Sequence, residues 1–371
     1  MKVLIVTGSL NERSGWGRHT RAVVDQLIVQ GMEVSVCTEV IANAPCRMTK
    51  ITPLRSWYKA ASLVFNMLIV RRAARNVDVI HAIDGWPYGV YGWFATIGTS
   101  KRLFTNGVGT YSIAPLYSRS RGWLLRRAYA KASRIFCISD YTKRQLEHAG
   151  IPAEKLTIVL HGATRQPEIS DLERTNFAAK YSISNERHPI ILTVGAIKDR
   201  KGQLETLKAV ELLKVQYPSI LYVALGSSAS NYAVQMRSYA DTHSLGSNLL
   251  IVSDANDRAL SYFYSTCDVF ALNSNTDEIH HHFEGFGLVV VEAYQFGKPA
   301  VGSRDCGIES AIEDGATGYL TNQRDPEDIA EKIQTILDSY DVFSKNARAG
   351  YNVFDWKKTV ETYVRIYSAK A

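Results

Sequence analysis

The chain has 371 residues, more than one hydrophobic core usually spans, and its 46% hydrophobic and 21% charged residues are typical of a soluble globular protein. Five scattered cysteines without a CxxC pair argue against a disulfide framework or a zinc site and suit a reducing compartment. The longest apolar run, Ser62 to Val70, is shorter than the ~20 residues that span a bilayer. The apolar start of the chain is too short for a signal peptide, so we expect a cytoplasmic protein. A net charge of +7 is a moderate basic bias.

The first predicted elements alternate between strand and helix. Lys2 to Thr7 has the continuous apolar pattern of a buried strand, Arg18 to Gln30 has helical periodicity, and Glu33 to Thr38 is a second strand. This order is that of the opening of a Rossmann-like sheet. The polar loop between the first strand and the helix does not have the GxGxxG spacing, so a nicotinamide site is poorly supported.

Two stretches of the N-terminal half combine basic residues with aromatic ones. Ile51 to Arg75 is predicted to be an amphipathic helix with five cations, and Tyr117 to Arg134 carries six cations beside Trp123. Such residues suit the surface of an anionic membrane, to which each exposed cation contributes ~1 kcal/mol. The alternative for each stretch is a helix that packs on the core and has a solvated basic face. Because both stretches occur, we hypothesise peripheral attachment to the inner face of the plasma membrane.

A third predicted strand, Asp78 to Asp84, ends in polar residues. Ligands gather at the carboxyl ends of the strands in doubly wound sheets, so His81 and Asp84 are candidates for a ligand site. His81 has an equally good alternative interpretation as a core histidine with satisfied hydrogen bonds.

The second half of the chain repeats the alternation of strand and helix. After a polar segment, Arg165 to His188, a strand at Ile190 to Val194 leads into the loop GAIKDRKGQ, residues 195–203. Glycine and cations between a strand and a helix suit a diphosphate, which makes Gly195, Arg200 and Lys201 candidates. Later segments with the same patterns are strands at 220–225, 249–253 and 268–272 and helices at 325–338, 341–351 and 354–371.

The stretch Asn275 to Pro299 carries the most specific pattern. A turn with the sequence Glu284-Gly285-Phe286-Gly287 leads into an apolar helix that begins near Gly287, ends at Phe296 and contains Glu292. Its glycines allow the backbone to approach a ligand, and the first amides of the helix form a site for phosphate. Glu292 lies roughly 7 Å further along the helix axis, where its carboxylate suits a ribose diol.

These residues resemble the paired-glutamate signature of the family 4 retaining glycosyltransferases, and the following segment, Gly297 to Leu320, is also similar to that family. The resemblance implies an α/β protein of the GT-B fold, in which two Rossmann-like doubly wound parallel-sheet domains face each other across a cleft. We expect an N-terminal acceptor domain at 1–165 and a C-terminal nucleotide-sugar domain at 188–353. The terminal helix, 354–371, packs back on the first domain in relatives.

The resemblance also implies roles for the candidate residues. Lys201, Arg200 and the amides of Phe286 to Leu288 stabilise the leaving diphosphate, Glu284 holds the hydroxyls of the sugar, and Glu292 holds the ribose. Gly15 and Gly17 of the first loop approach the diphosphate. The chain departs from the family pattern at Val108, where many relatives have a histidine near the donor sugar, and at Ala196, where an arginine is frequent. Asn106 lies two positions before Val108, and with His81 and Asp84 it is a candidate for the acceptor or sugar side of the cleft.

The implied reaction is transfer of a hexosyl unit from a UDP or GDP sugar, with retention of configuration, to a glycan or lipid-linked glycan in cell-surface polysaccharide synthesis. We expect no cofactor, no metal and no nucleic acid; adjacent His280, His281 and His282 point in diverging directions and lack further zinc ligands. Two alternatives stay open, namely a catalytically silent nucleotide-sugar sensor or scaffold and a sugar-nucleotide epimerase of the same fold. Intact Glu284 and Glu292 favour the transferase.

Overall fold

The computed structural model describes residues 1–11, 15–54, 59–184, 186–227 and 231–369, which form two compact units. The first unit comprises Met1–Thr164, Ile279–Gly285 and Phe354–Ala371, and the second comprises Arg165–Glu278 and Phe286–Val353. The polar segment that follows residue 164 therefore belongs to the second unit. The short stretch Ile279–Gly285 groups with the first unit, although the sequence had assigned it to the second domain.

The strands and helices alternate along both units. The strands are β1 (Lys2–Ser9), β2 (Glu33–Val40), β3 (Arg47–Lys50), β4 (Val79–Ala82), β5 (Arg102–Gly107), β6 (Arg134–Cys137), β7 (Leu156–Ile158), β8 (Ile190–Val194), β9 (Leu221–Leu225), β10 (Leu249–Val252), β11 (Val269–Leu272), β12 (Ala300–Ser303) and β13 (Gly318–Thr321). The helices are α1 (Gly15–Val29), α2 (Lys59–Ala73), α3 (Val90–Thr96), α4 (Thr110–Ile113), α5 (Arg119–Lys131), α6 (Asp140–His148), α7 (Asp171–Tyr181), α8 (Gln203–Leu213), α9 (Asn231–Thr242), α10 (Asp257–Thr266), α11 (Leu288–Tyr294), α12 (Pro326–Asp338), α13 (Tyr340–Tyr351) and α14 (Trp356–Ser368).

Each unit contains one parallel sheet. The described strands of the first unit are ordered β3-β2-β1-β4-β5-β6-β7, and those of the second are ordered β10-β9-β8-β11-β12-β13. The predicted pair of Rossmann-like domains is thereby confirmed. In both sheets the strand order reverses at the first strand, between β1 and β4 and between β8 and β11. A reversal of this kind opens a crevice outside the carboxyl ends of the two strands, and ligands bind there in open α/β sheets.

The first unit has a core on each face of its sheet. One core lies under α2, α3 and α5 and contains Tyr91 and Tyr129, both fully buried. The other lies under α1 and the C-terminal helix α14, which contributes Tyr363 and Tyr367. α14 begins where the side chain of Asp355 accepts a hydrogen bond from the amide of Lys357 at 2.8 Å. The last helix of the chain is therefore part of the first unit's core.

The helix α2 differs from the helix predicted at 51–75. It begins at Lys59 and ends at Ala73; residues 51–54 are not helical, and residues 55–58 of the prediction, including Arg55 and Trp57, lie outside the described residues. Its buried face contains Asn66, whose Oδ1 accepts from the amide of Thr52 at 2.9 Å and whose Nδ2 donates to the Tyr91 hydroxyl at 3.0 Å. The apolar residues Val64, Phe65 and Leu68 are 56%, 57% and 53% exposed. The polar residues Ser62 and Asn66 thus lie on the buried face of the helix, and the exposed face carries an apolar stripe.

The second basic stretch forms α5, which packs Leu125 and Tyr129 into the core and exposes Trp123. The guanidinium of Arg127 lies 4.9 Å from the centre of the Trp123 ring. No helix in the described part of the chain is long and apolar enough to cross a membrane.

Candidate functional site

The crevice of the second sheet is formed by loops that glycines bring close together. Gly195 follows β8 with φ +147°, and the Nζ of Lys201 lies 3.8 Å from the position that a Cβ would take there. Gly202, with φ +64°, precedes α8, and a Cβ at this residue would lie 1.7 Å from the carbonyl oxygen of Asn273. Both glycines are required by a positive φ, and Gly202 also by this close approach. They hold Lys201 at the carboxyl end of β8.

Three polar residues follow β11 directly and are buried. Asn273 is held by Thr206, whose Oγ1 lies 2.9 Å from its Nδ2, and by Thr321, whose Oγ1 lies 3.2 Å from its Oδ1. The amide of Asn275 donates to the carbonyl of Arg200 at 2.8 Å, which joins the β11 loop to the β8 loop. Arg200 and Lys201, predicted together, therefore lie in one assembly with the residues after β11.

Some buried polar atoms of this crevice have no hydrogen-bond partner in the described structure. They are the Oγ of Ser274, the Oδ1 of Asn275 and the Oγ of Ser303 at the end of β12. These residues are 0%, 2% and 0% exposed. A buried polar atom left unpaired costs about 1–3 kcal/mol, so such a group calls for a ligand or a functional reason. Sequence reasoning missed all three, although polar residues directly after an apolar strand were an available signal.

The segment around Glu292 agrees in part with its prediction. Gly287, with φ +90°, precedes α11, so the helix begins at Leu288, one residue after the predicted start. It ends at Tyr294, earlier than the predicted Phe296, and is about two turns long. Glu292 is only 5% exposed, and its Oε2 accepts a hydrogen bond from the Tyr264 hydroxyl at 2.8 Å. Tyr264 was not among the predicted site residues; it fixes the carboxylate from α10.

The turn before this helix packs against another part of the chain at Gly285. A Cβ at Gly285 would lie 2.1 Å from the carbonyl oxygen of Val108, so the close backbone approach predicted there is made to the chain itself. Glu284 is half-buried. The neighbouring His281 stacks on Tyr117 with 3.8 Å between the ring centres. The described residues contain no group of histidine, cysteine and acidic side chains that could hold a metal ion.

Two residues predicted near the acceptor are core residues. His81 is 0% exposed; its Nε2 lies 2.6 Å from the Oδ1 of Asn106, and its Nδ1 lies 2.6 Å from the hydroxyl of Tyr367. Asn106 also contacts the Nε2 of His19 at 3.2 Å and is fully buried. Burial lowers the pKa of His81 to about 4, so the ring is neutral at pH 7. These contacts favour the alternative interpretation of His81 as a core histidine, because α14 covers His81 and Asn106 and completes their hydrogen bonds.

The third residue of that prediction, Asp84, does lie at a cavity. It lines a cavity of about 1120 Å³ at the carboxyl ends of β1 and β2, within the first unit. Its carboxylate accepts hydrogen bonds from the amide of Gly85 at 2.7 Å and from the Ser112 hydroxyl. Burial raises the pKa of Asp84 to about 7, so near neutral pH the group exists in both protonation states.

The glycines of the first loop have different surroundings. A Cβ at Gly17 would lie 1.8 Å from the carbonyl oxygen of Asn11, so this glycine is required by the packing of the loop against its own helix. Gly15 is exposed and has open space around its Cα. Residues 12–14 of this loop lie outside the described residues.

Two family models cover most of the chain. The model "Glycosyltransferase Family 4" matches residues 13–165, and the model "Glycosyl transferases group 1" matches residues 175–356. The chain belongs to the family 4 glycosyltransferases. The recognition of this family from the sequence is confirmed.

Curated relatives of this family 4 glycosyltransferase carry several transferase names. It is 24% identical over 330 residues to the D-inositol 3-phosphate glycosyltransferase of Geodermatophilus obscurus, which covers 83% of this chain and 70% of the relative. It is 25% identical over 377 residues to the sulfoquinovosyl transferase of Arabidopsis thaliana, covering 95% of this chain and 68% of the relative.

Solved structures show the same architecture. HepE of Anabaena, crystallised with UDP and glucose, superposes with a TM-score of 0.80 at 18% identity over 100% of both chains. WaaG, a glycosyltransferase involved in lipopolysaccharide biosynthesis, superposes with a TM-score of 0.72 at 17% identity, covering 99% of this chain and 100% of WaaG. The GT-B fold expected from the resemblance is confirmed.

Proposed function

We propose that this enzyme transfers a hexosyl unit from a UDP or GDP sugar, with retention of anomeric configuration, to a glycan or lipid-linked glycan acceptor. The use in cell-surface polysaccharide synthesis and the absence of a metal requirement are parts of the same proposal. A nucleotide-sugar donor is supported by the UDP complexes of HepE and by the name of a GDP-mannose-dependent relative in Mycolicibacterium smegmatis, 22% identical over 234 residues.

One observation carries the donor site, namely the unpaired polar atoms of Ser274, Asn275 and Ser303 at the carboxyl ends of β11 and β12, where Asn275 also bonds to the loop that holds Lys201. A nucleotide sugar offers hydroxyl groups and phosphate oxygens that can pair with such atoms. The crevice lies at the reversal of the strand order, where the architecture places ligands. We therefore assign the donor to this edge, with Gly195 next to the diphosphate.

The proposed reaction breaks the bond between the anomeric carbon and the diphosphate oxygen, and the bonding electrons stay on that oxygen. The acceptor hydroxyl forms its bond from the same face and gives its proton to the leaving phosphate. Lys201, Arg200 and the amides of Phe286 to Leu288 stabilise the charge that develops on the diphosphate. Groups of this kind contribute about 3–4 kcal/mol each because they are in position before the charge forms.

The two glutamates have separate proposed roles. Glu284 binds hydroxyls of the transferred sugar and sets their orientation. Glu292 binds the ribose, and Tyr264 holds its carboxylate in position through the hydrogen bond of 2.8 Å. Glu292→Gln is therefore expected to raise the donor Kd with a smaller effect on kcat. Glu284→Gln is expected to lower kcat with a smaller effect on the donor Kd, and equal behaviour of the two variants would contradict this assignment.

The test of the function is a donor screen. UDP, GDP and ADP sugars are incubated with the enzyme, EDTA and a membrane extract, and released nucleoside diphosphate and the anomeric configuration of the product are measured. Turnover of a UDP or GDP sugar with retention supports the proposal. Tight donor binding without turnover would favour the sensor, and conversion of one nucleotide sugar into another without acceptor would favour the epimerase.

We also propose that the first unit contacts an anionic membrane, at the inner face of the plasma membrane. The exposed apolar stripe of α2 continues into the cations Arg71, Arg72 and Arg75, and the exposed Trp123 belongs to the neighbouring basic helix α5. Apolar and basic residues together suit anionic lipids. Phe65→Ser should weaken sedimentation with vesicles that contain phosphatidylglycerol, whereas Val342→Ser, an equally exposed apolar position of α13, should not. Unchanged sedimentation of Phe65→Ser would contradict this surface.

A further inference from the structure

The cavity of the first unit has a composition unlike the crevice of the second. It lies at the carboxyl ends of β1 and β2 and next to Asp84, and its volume is about 1120 Å³. Its walls combine aromatic and aliphatic side chains with a few charged groups. Its aromatic and aliphatic residues include Trp16, Trp86, Leu63 and Leu124, and its cations include Lys59 and Arg121.

The acidic groups of this cavity are engaged with protein. Asp84 accepts hydrogen bonds from Gly85 and Ser112, and Glu39 accepts one from the Tyr88 hydroxyl at 2.9 Å. Burial raises the pKa of both carboxyl groups, which reduces the negative charge that they present. The acids therefore offer little attraction to a cationic ligand.

The cations of the cavity are available to a ligand. Lys59 begins α2, is exposed, and has no ion-pair partner in the part of the chain that the structure describes. Arg121 lies near the start of α5, and its Nε donates to the Ser118 hydroxyl at 3.3 Å. The terminal amino groups of Arg121 make no hydrogen bond among the described residues. Two helices thus each present one positive charge at the same cavity, which suits a phosphate group.

The cavity also adjoins the apolar surface of α2. Ala60 lines both the cavity and a shallow apolar depression that includes Val64, Phe65 and Leu68. Leu63 of the same helix and Leu124 of α5 also line the cavity. Apolar side chains for a lipid chain are therefore present in the cavity and next to it.

We infer that this cavity binds the acceptor as a lipid phosphate, with its phosphate between Lys59 and Arg121 and its apolar chain against Leu63 and Leu124. That the ligand is the acceptor rests on the proposed function. That the ligand is a lipid phosphate rests on the composition of the cavity. The volume exceeds the upper end of ~300–1,000 Å³ typical of small-molecule sites, so it has room for a head group and part of a chain. The two cations favour a phosphate head group over that of a neutral glycolipid.

The test uses binding alone, so that it does not depend on turnover. Dodecyl phosphate, dodecyl maltoside and inorganic phosphate are titrated into the full-length protein by calorimetry, below the micellar concentrations of the amphiphiles. Dodecyl phosphate should bind with one site per chain and at least about 10-fold more tightly than either of the others. Equal affinity for dodecyl maltoside would overturn the role of the cations, and equal affinity for inorganic phosphate would overturn the role of the apolar walls.

Variants distinguish the cavity from the exposed stripe. Arg121→Ala and Lys59→Ala should each weaken the binding of dodecyl phosphate by about 5-fold, and Lys345→Ala, which removes an exposed charge of α13, should leave it unchanged. Leu63→Asp should abolish binding, whereas Phe65→Asp on the exposed face of the same helix should retain it. Loss of binding in Phe65→Asp with retention in Arg121→Ala would show adsorption to the stripe and overturn the inference.

The outcome is separable from that of the donor screen. If dodecyl phosphate binds as expected but no nucleotide sugar is consumed, the lipid-phosphate site stands and the transferase proposal fails. If a donor is consumed while dodecyl phosphate does not bind, the transferase proposal stands and the inference is overturned.

Discussion

The two sheets reverse their strand order in the same way but use the polar residues near the reversal differently. In the first unit, His81 on β4 and Asn106 on β5 bond to each other and to the tyrosine hydroxyls of α14. In the second unit, Ser274 and Asn275 after β11 are equally buried, yet their Oγ and Oδ1 atoms have no partner among the described residues. Near the reversal, the side chains of His81 and Asn106 are therefore paired within the first unit, whereas Ser274 and Asn275 of the second unit keep unpaired atoms.

Whether a buried polar group has a hydrogen-bond partner distinguishes structural from functional residues better than its position in the sheet does. A buried polar group that is fully paired stabilises the core, and removal of its partner costs free energy of unfolding. A buried polar group that is unpaired already carries that cost in the free protein, and a ligand can relieve it. Substitutions at His81 and Asn106 should therefore lower stability and leave donor binding unchanged. Substitutions at Ser274 and Asn275 should weaken donor binding and leave stability unchanged.

The largest expected effect is that of acid on the first unit. Burial lowers the pKa of His81 to about 4, that of His161 to about 3, and that of His19 well below its usual value. The unfolded chain binds these protons near pH 6.5, so each histidine reduces the free energy of unfolding by about 1.4 kcal/mol per pH unit as the pH falls below that value.

Asp84 acts in the opposite direction. Its pKa of about 7 is above its unfolded value, so its contribution is complete at low pH and is lost as the pH rises toward 7. Glu39, whose pKa burial also raises, acts in the same direction as Asp84, and the three histidines together outweigh both acids. We therefore expect the free energy of unfolding to fall as the pH falls from 6 to 4.5. Hydrogen exchange should accelerate in β4, β5 and α14 before it does in β8 and β11. His161→Phe should make the loss shallower, the exposed His148→Gln should not, and a uniform response of both units would contradict the contrast.

The next effect concerns the crevice of the second unit. Lys201→Ala should lower kcat/KM by about 100-fold, the effect of losing one group that stabilises the transition state. Its free energy of unfolding should stay within about 0.5 kcal/mol of the wild-type value because the residue is partly exposed. Lys208→Ala on α8 is the control for a lost charge. Unchanged kcat/KM in Lys201→Ala would remove the residue from the site.

A third effect tests the paired side chains of His81 and Asn106. Asn106→Ala removes the partner of His81 and should reduce the free energy of unfolding by about 1–3 kcal/mol in urea titrations. The donor Kd, measured at a temperature where the variant is folded, should not change. Asn76→Ala, at an exposed position of the same unit, should have little effect on either quantity. A raised donor Kd with unchanged free energy of unfolding would instead indicate that Asn106 contacts the ligand.

The smallest effect comes from a matched pair of fully buried serines. Ser112→Ala removes a hydroxyl that accepts from the amide of Val108 at 2.9 Å and donates to Asp84, so the variant should lose about 1–3 kcal/mol of stability. Ser274→Ala removes a hydroxyl without a partner and should lose none. The same variant should raise the donor Kd by about 5-fold. Equal loss of stability in both would indicate that the hydroxyl of Ser274 is paired within the protein.

Much of the architecture could be predicted because its signals are local. Continuous apolar runs indicated the central strands, and Gly287 marked the beginning of α11 through a conformation that side chains disfavour. The family was recognisable because Glu284 and Glu292 bracket that turn within nine residues of sequence. Patterns of this kind depend on neighbours along the chain.

The remaining features depend on contacts between distant residues. His81 had two interpretations, and the contact that decides between them comes from Tyr367, which is 286 positions away. The partner of Glu292, Tyr264, is on another helix, and Glu39 and Tyr88 meet at the cavity across 49 positions. The exposed stripe of α2 was ambiguous for the same reason, because Asn66 is buried only through its bonds to Thr52 and Tyr91.

The hydrogen bond from the final helix to His81 bears on how the protein is made. During synthesis the residues of β1 to β7 leave the ribosome long before Tyr363 and Tyr367 exist, so the N-terminal half cannot seal its interior until α14 has been made. A recombinant fragment that stops at residue 164 would expose that interior. A soluble version would need residues 354–369 joined back through a linker or supplied as a separate peptide.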